Sequence, residues 1–198
     1  MAKNTQPVLK RCRTLGVSPA AMGYSKQSNR FTNVRRRNKK SEYAMQLTEK
    51  QKVKFVYGIL EKQFHALYER AARMNGNTGE LLLSLVERRL DNVVYRLGFA
   101  STRREARQLV SHGHYTVNGK RVDVPSYLVD VGDVIAVSEK SSSNNRFKKL
   151  KEDDAFIAAP KWLDRDKNTL TGKVIALPAR DDIDFEIAEN LIVELYSK

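Results

Sequence analysis

The stretch of sequence that decides the fold is RRLDNVVYRLGFASTRREARQLVSHGHYTVNGKRVDVPSYLVDVGDVIAV, residues 88–137. Its first part continues an apolar helical face up to Gly98, a residue type that commonly ends helices. Ser101 is placed to cap a second helix that runs to about Ser111, with Gly113 behind it. The first half of the stretch therefore predicts two consecutive helices.

The second half of the stretch has the pattern of a β-hairpin. Short β-branched runs flank Asn118 and Gly119, and both residue types tolerate the positive φ of a tight hairpin turn. A third strand is expected over 134–137, directly after Gly132 and Asp133. Together the two halves predict an α+β fold with helices packed on a small antiparallel β-sheet.

Basic and hydrogen-bonding side chains gather where the second helix meets the hairpin. Arginine presents fork-shaped donors for phosphate, and Ser, Thr and Asn side chains can reach phosphates or 2′-hydroxyl groups. A solvated charged helix face is the plainer alternative, but several arginines, hydroxyls and histidines converging on one turn favour RNA. The residues expected to contact RNA here are Arg88, Ser101, Thr102, Arg103, Arg104, Arg107, Gln108, Ser111, His112, His114, Asn118 and Lys120.

Neither a metal site nor a catalytic site is expected in this stretch. His112 and His114 could meet one ion, but no Cys, Asp or Glu stands at ligand spacing within that turn. The triplet at 89–91, Arg-Leu-Asp, resembles the catalytic context of pseudouridine synthases, but the Thr-Ser-Gly that follows there is absent. Asp91 is therefore expected to pair with nearby arginines or to cap a packing contact. No enzyme activity and no cofactor are predicted.

An amphipathic helix is expected before this stretch. Thr48 and Gln51 have the spacing of a capping box, and an apolar face then recurs up to about Arg73. Thr78 is placed to cap the next helix. Some basic residues off the apolar face have acidic residues at pairing distance. Three are expected to contact phosphate: Lys52, Lys54 and Lys62.

Charge is segregated along the chain. Residues 1–40 contain eleven Lys or Arg and no Asp or Glu, whereas residues 181–198 contain six acidic residues and one lysine. A basic arm attracts phosphate, and its self-repulsion predicts a loosely ordered segment when RNA is absent. The acidic end is expected to face solvent or another protein, through Asp181 and Asp182. The arm residues expected to contact RNA are Arg11, Arg13, Arg35, Arg36, Arg37, Lys39 and Lys40.

The remaining sequence and the overall composition narrow the possibilities further. A mixed-charge helix is expected over about 146–158, a strand over 173–177 and a helix over 187–196. The 198 residues carry a net charge of +13, which fits a nucleic-acid partner. No apolar run approaches the roughly 18 residues that a spanning helix needs, and the start lacks the apolar region of a secretory signal. We therefore expect a cytoplasmic protein with no membrane partner.

Three stretches carry a resemblance to a known family. They are SEYAMQLTEKQKVKFVYGILEKQF at 41–64, the segment from NTGELLLSLVERRLDN to DVPSYLVDVGDVI at 77–135, and ENLIVELYSK at 189–198. This sequence resembles the family of the fourth protein of the bacterial small ribosomal subunit, over nearly the whole chain from Ser41 on. The middle stretch alone would indicate only an RNA-binding module that many proteins share.

The resemblance implies direct, early binding to 16S ribosomal RNA at a multi-helix junction of its 5′ domain. It also implies contact with the fifth small-subunit protein, an influence on decoding accuracy, and a place beside the third protein where messenger RNA enters and is contacted transiently. Arg36, Arg37 and Lys39 match the family's basic residues near that channel. Some members bind zinc through four N-terminal cysteines; here Leu9 stands where the first would be and only Cys12 remains, so the zinc-free form is expected.

These arguments predict a basic arm at 1–45 and a helical domain at 46–87 that is completed by about 184–198. The RNA-binding module is expected at 88–183, with its core at 88–138. The predicted function is scaffolding of ribosomal RNA without chemistry. An RNA-modifying enzyme would need a catalytic domain that these residues do not provide. A free-standing RNA chaperone or stalled-ribosome binder remains as the alternative, although it would need only the module.

Overall fold

The computed structural model describes residues 6–26, 41–152, 159–166 and 168–197. Its helices are α1 (Val8–Leu15), α2 (Glu42–Tyr57), α3 (Glu61–Ala72), α4 (Thr78–Glu87), α5 (Leu90–Arg96), α6 (Arg103–Ser111), α7 (Glu139–Ser142), α8 (Asn145–Glu152) and α9 (Glu189–Tyr196). Short 3₁₀ turns lie at Pro19–Met22 and Arg180–Asp182. In these ranges no helix is long and apolar enough to cross a membrane.

Within the described ranges, five strands form one antiparallel sheet, which confirms the predicted α+β class. They are β1 (Tyr115–Val117), β2 (Lys120–Arg121), β3 (Val134–Val137), β4 (Leu163–Asp166) and β5 (Thr171–Val174). Their order in the sheet is β2-β1-β3-β5-β4. The chain divides into two compact units, Met1–Leu83 with Ile183–Lys198, and Ser84–Asp182.

The single helix expected from Thr48 to about Arg73 is two helices in the structure. Gly58 adopts φ 65° and its N–H returns to the carbonyls of α2, which ends that helix before α3 begins. The cap also differs from the prediction: Ser41 accepts the N–H of Ala44 at 3.3 Å, so the cap of α2 lies seven residues before Thr48. The expected capping box at Thr48 is therefore wrong.

The N-terminal arm contains more structure than its sequence predicted. Helix α1 packs against α2, and the 3₁₀ turn at Pro19–Met22 follows it. Cys12, Leu15 and Met22 are buried, so apolar residues spaced along a short helix anchor this segment despite its charge. The sequence analysis did not identify α1, and residues 27–40 lie outside the described ranges.

The last helix packs against α2 within the first unit. Ile192 is fully buried, and the amide of Gln46 donates to the carboxylate of Glu194 at 3.1 Å. At the start of α4, the side-chain oxygen of Asn77 accepts the N–H of Gly79 at 3.0 Å. Asn77, and not the predicted Thr78, therefore caps that helix. The C-terminal helix expected over 187–196 is confirmed, with its start at Glu189.

In the second unit the helices and the sheet enclose one apolar core. Tyr115, Phe99, Phe147 and Trp162 are its largest buried side chains. The hairpin prediction is confirmed, because Asn118 and Gly119 adopt φ 50° and 76° between paired β1 and β2. Strand β2 is nevertheless shorter than expected.

Two further elements of this unit differ from the sequence expectation. Helix α6 is capped by Thr102, which accepts the N–H of Glu105 at 3.3 Å, while Glu105 accepts the N–H of Ser101 at 2.8 Å. The cap thus lies one residue after the predicted Ser101, and the side chain of Glu105 satisfies the N–H of the residue before the cap. Strand β4 was not expected, and β5 begins at Thr171 instead of residue 173. The helix expected over 146–158 begins one residue earlier as α8, and residues 153–158 lie outside the described ranges.

Candidate nucleic-acid interface

Asp91 joins α5 to α6 through two arginines. Arg89 donates to both carboxylate oxygens of Asp91 at 3.1 and 3.0 Å, and Arg107 donates to one of them at 2.8 and 2.6 Å. The side chains of Asp91 and Arg89 are each 4% exposed. The expected pairing of Asp91 with arginines is thus confirmed, and the acid supports the fold of the site.

A second buried network lies beside the first. Glu87 is fully buried and accepts from Arg96 at 2.7 Å and from the amide of Asn92 at 2.6 Å. The oxygen of Asn92 in turn accepts from Nε of Arg103 at 2.8 Å. Because every member is hydrogen-bonded, the network fixes α5 and α6 in one arrangement. The sequence analysis did not identify Glu87 or Asn92, whose charge and amide lie within an apolar run.

Arg103 belongs to this internal network, and its predicted contact with RNA stays a prediction. Its guanidinium lies 4.3 Å from the centre of the Tyr95 ring, and the residue is only 7% exposed. An arginine that stacks on an aromatic ring and donates to a buried amide is oriented by the fold. Arg103 therefore supports the packing of α5 against α6.

Other α6 residues do reach the surface. Arg104, Gln108 and His112 are exposed at intervals of four residues, so they form one row along the helix. Together with the half-buried Ser111 they make a surface that we call the α6 row. Ser101 is exposed at the start of the helix, whereas Thr102 caps it and Arg107 is partly covered in its pair with Asp91.

The two histidines lie where α6 turns into the sheet. Their ring centroids are 6.1 Å apart, and Nδ1 of His114 is 2.9 Å from the hydroxyl of Ser141. Burial lowers the pKa of His114, and the neighbouring charges of His112, Arg121 and Arg146 lower it further. Positive potential is therefore concentrated here. Across the described residues, no group of three or more His, Cys, Asp or Glu could hold a metal ion.

At the hairpin, Asn118 forms hydrogen bonds within the protein, and the sequence analysis did not identify Arg121 as a surface residue of this site. The amide of Asn118 donates to Asp133 at 2.7 Å and accepts the N–H of Val134 at 2.9 Å, so it ties the turn to β3. Lys120 is exposed at the end of this turn, as expected. Arg121, which was not among the predicted RNA contacts, is also exposed and lies 3.4 Å from the carbonyl of His112. Its position next to Lys120 in the sequence was the signal that could have identified it as a second basic residue of this surface.

Arg88 is likewise committed to the fold. Its Nε donates to the carbonyl of Val129 at 2.9 Å, and its other end pairs with the carboxylate of Asp130. The residue is 8% exposed and has a structural role, while its predicted contact with RNA stays a prediction. Arg88 and the isolated β-bridge between Arg89 and Leu128 together hold the start of α5 against the loop that precedes β3.

Of the three lysines predicted to contact phosphate in the helical unit, two are paired with carboxylates and one is exposed. Lys52 pairs with Glu49 at 3.1 Å and also donates to the carbonyl of Glu186, and Lys54 pairs with Glu61. These two side chains are therefore engaged inside the unit, and their predicted contact with phosphate stays a prediction. Lys62 is exposed on α3.

The structure describes only some of the residues that were predicted as contacts in the N-terminal arm and near the C-terminus. Arg11 and Arg13 are half-buried on α1, and Nε of Arg13 is 3.4 Å from the carbonyl of Leu9. Asp181 is exposed, whereas the carboxylate of Asp182 accepts the N–H of Ala179 at 2.9 Å and closes the 3₁₀ turn. The other arm residues lie outside the described ranges: Arg35, Arg36, Arg37, Lys39 and Lys40.

Comparison with known families agrees with this arrangement. The model of the S4 domain matches residues 88–135, and that of the ribosomal protein S4/S9 N-terminal domain matches residues 3–87. The molecule is thus a ribosomal protein with an RNA-binding S4 domain. Small ribosomal subunit protein uS4 of Fusobacterium nucleatum subsp. nucleatum is 53% identical over 198 residues, which is 100% of both chains.

Two further relatives carry the same name. The protein of Acetivibrio thermocellus is 57% identical over 208 residues, which covers 100% of both chains, and that of Caldicellulosiruptor saccharolyticus is 66% identical over 162 residues, 82% of this chain and 78% of its own. The chain therefore belongs to the uS4 family of small ribosomal subunit proteins. These are structural proteins of the ribosome, so the chain is not an enzyme, as the sequence predicted.

Replacing Asp91 with alanine should destabilise the second unit by about 3–5 kcal/mol, because the buried Arg89 would lose its counter-charge. Urea unfolding followed by the fluorescence of Trp162, the single tryptophan, reports on this unit. The matched control is Asp123→Ala, which removes an exposed carboxylate and should change stability by less than about 0.5 kcal/mol. Equal stability losses in both variants would contradict the assigned role of Asp91.

Partial burial raises the pKa of Glu61, but hydrogen bonds from Lys50, Lys54 and Tyr196 outweigh this and hold the pKa at about 2. Their contribution to stability is thus present above the ordinary pKa of 4.5 and is lost as pH falls toward 2. Tyr196→Phe removes one donor at 2.7 Å and should raise the pKa of Glu61. NMR titration of its carboxyl carbon measures this. Tyr68→Phe is the control, since Tyr68 stacks on Tyr196 without that bond, and it should leave the titration midpoint unchanged.

Proposed function

We propose that this protein is a structural component of the small ribosomal subunit in the cytoplasm and a primary binder of 16S ribosomal RNA. It binds a multi-helix junction of the 5′ domain early in assembly and holds RNA helices in one arrangement. The observation that carries the proposal is the α6 row, an exposed polar and basic surface built on a buried arginine–carboxylate network. Membership of the uS4 family supports it.

The physical basis is preorganisation. The buried pairs of Asp91 and Glu87 orient α5 and α6 before any ligand arrives, so binding does not have to order the helices. Arg104, Lys120 and Arg121 then present charge to phosphate, while Gln108 and Ser111 supply hydrogen-bonding groups for phosphates and 2′-hydroxyls. Such a fixed surface binds structured RNA by its shape more than by its sequence.

The finer roles belong to the same proposal. The arm residues Arg36, Arg37 and Lys39 contact messenger RNA transiently, where the third and fifth small-subunit proteins line its channel. Asp181 contacts the fifth protein and influences decoding accuracy. Asp182 is left out of this contact, because its carboxylate already closes the 3₁₀ turn.

A free-standing RNA chaperone or stalled-ribosome binder is the competing function. It would need only the S4 domain, whereas this chain also carries the helical unit, and two of the relatives match it over their whole length. Cosedimentation separates the two. A structural component stays on small subunits in stoichiometric amount after a high-salt wash, whereas a chaperone is removed by it.

The direct test of the proposal is binding of the purified protein to a 16S 5′-domain transcript across a salt series. Junction-dependent binding without other proteins is the expected result. A transcript with a scrambled junction is the control for non-specific attraction by a chain of net charge +13. Equal affinity for both transcripts would overturn the assignment as a primary binder.

Arg104→Ala should weaken junction binding and reduce the slope of log affinity against log salt by about 0.9, because one phosphate contact is lost. The matched control is Lys173→Ala, which removes the same charge from an exposed position of β5 between two buried ones. It should leave the slope nearly unchanged. The same slope in both variants would mean that the α6 row is not where phosphate binds.

Asp181→Lys should weaken the contact with the fifth small-subunit protein, because reversal of an exposed charge replaces attraction with repulsion. Pull-down of the purified fifth protein and a miscoding reporter measure the two consequences. Asp164→Lys, an equal charge reversal on β4, is the control and should change neither. Unchanged binding and unchanged fidelity in Asp181→Lys would remove this residue from the interface.

A further inference from the structure

Helix α8 lies beyond the residues that the S4 domain model matches, yet it is firmly attached to the same unit. Phe147 is fully buried and its ring lies 5.9 Å from that of His114 and 6.1 Å from that of Tyr115. Leu150, one turn later, is half-buried against the core. These two apolar side chains define the inward face of α8, and the helix is a fixed part of the surface around the histidines.

An ion pair joins α8 to α6. Arg146 pairs through Nη1 with the carboxylate of Glu105, the residue that follows Arg104 of the α6 row. Its Nε is buried and has no hydrogen-bond partner among the described residues. The positive charge of Arg146 also acts on His114. The side of α8 that carries Arg146 therefore continues the basic surface of α6.

The lysines of α8 are distributed unequally around the helix. With about 100° between successive residues, Lys149 lies about 60° from Arg146, on the side away from Phe147. Lys151 lies about 140° from Arg146 in the other direction, on the far flank of the inward face. Lys148 stands between the two on the outer face. All three lysines are exposed.

We propose that α8 forms a second row of phosphate contacts, in which Lys149, on the flank that carries Arg146, binds the RNA backbone next to the strand held by the α6 row. This inference rests on the proposed function and extends its site past the S4 domain. Lys151 takes no part, because it faces away from α6. An ammonium group serves as a point charge that any phosphate satisfies, so this row adds affinity without sequence preference.

RNA phosphate is favoured as the ligand over an acidic protein surface for a structural reason. The row is continuous with α6 through the pair of Arg146 and Glu105, and the S4 domain that carries α6 is an RNA-binding domain. An RNA backbone that lies on α6 reaches α8 directly across this pair, whereas an acidic protein on α8 would need a separate surface of its own.

The first experiment compares Lys149→Ala with Lys151→Ala in full-length protein bound to the 16S 5′-domain transcript. Both variants lose one charge, so non-specific attraction falls equally. We expect the log–log salt slope to fall by about 0.9 for Lys149→Ala and to stay within about 0.3 of the wild-type value for Lys151→Ala. Equal slopes in the two variants would overturn the proposal, provided that wild-type protein binds the junction. Failure of wild-type binding would overturn the proposed function itself.

A second readout does not depend on affinity. Lys149→Cys and Lys151→Cys, made in a Cys12→Ala background and loaded with an iron chelate, generate hydroxyl radicals at the two positions. Strong, localised cleavage of the transcript from position 149, and weaker cleavage from 151, is expected. The reverse pattern would place RNA on the other flank and overturn the proposal. So would loss of another protein from assembled subunits in Lys149→Ala with unchanged RNA binding, because it would identify an acidic protein as the ligand.

Discussion

Buried charge has to be paired, and this requirement governs the region around α5. Glu87 and Asp91 are almost completely removed from water, and an isolated carboxylate in that position is strongly destabilising. Arg96 pairs with the first, and Arg89 and Arg107 pair with the second. Because these arginines lie before α5, within it and on α6, neutralising two acids fixes the positions of three segments at once.

The same requirement divides the basic residues of the S4 domain into two groups. Arg88 and Arg103 give their donors to carbonyl, carboxylate or amide groups of the protein, so they set the geometry of the surface. Arg104 and Lys120 reach solvent and set its potential. A surface built in this way is rigid where it is supported and charged where it is exposed, which is the combination that shape-specific binding of structured RNA requires. Loss of either group would weaken binding for a different physical reason.

The parts of the fold that could be predicted have local signals. The hairpin follows from Asn118 and Gly119, whose own backbone preferences determine the turn. The break at Gly58 was missed, because the apolar pattern continues across it and hydrophobic periodicity does not record a change of helix axis. Strand β4 contains Asp164 and Asp166, which are poor strand formers, and it becomes a strand only by pairing with β5. Those features depend on tertiary contacts that no local pattern contains.

The interface was predicted as a region and not side chain by side chain, although the apolar register of α6 carried part of the answer. Ala106 and Val110 are buried, and Arg103 precedes them by three and seven positions, so it shares their face. An arginine at such a position must find its partner inside the fold, whereas Arg104, one position on, reaches solvent. Charge counting treats the two alike. The sequence could therefore have shown which arginine turns inward, but that it would meet the amide of Asn92 depends on how α5 and α6 pack.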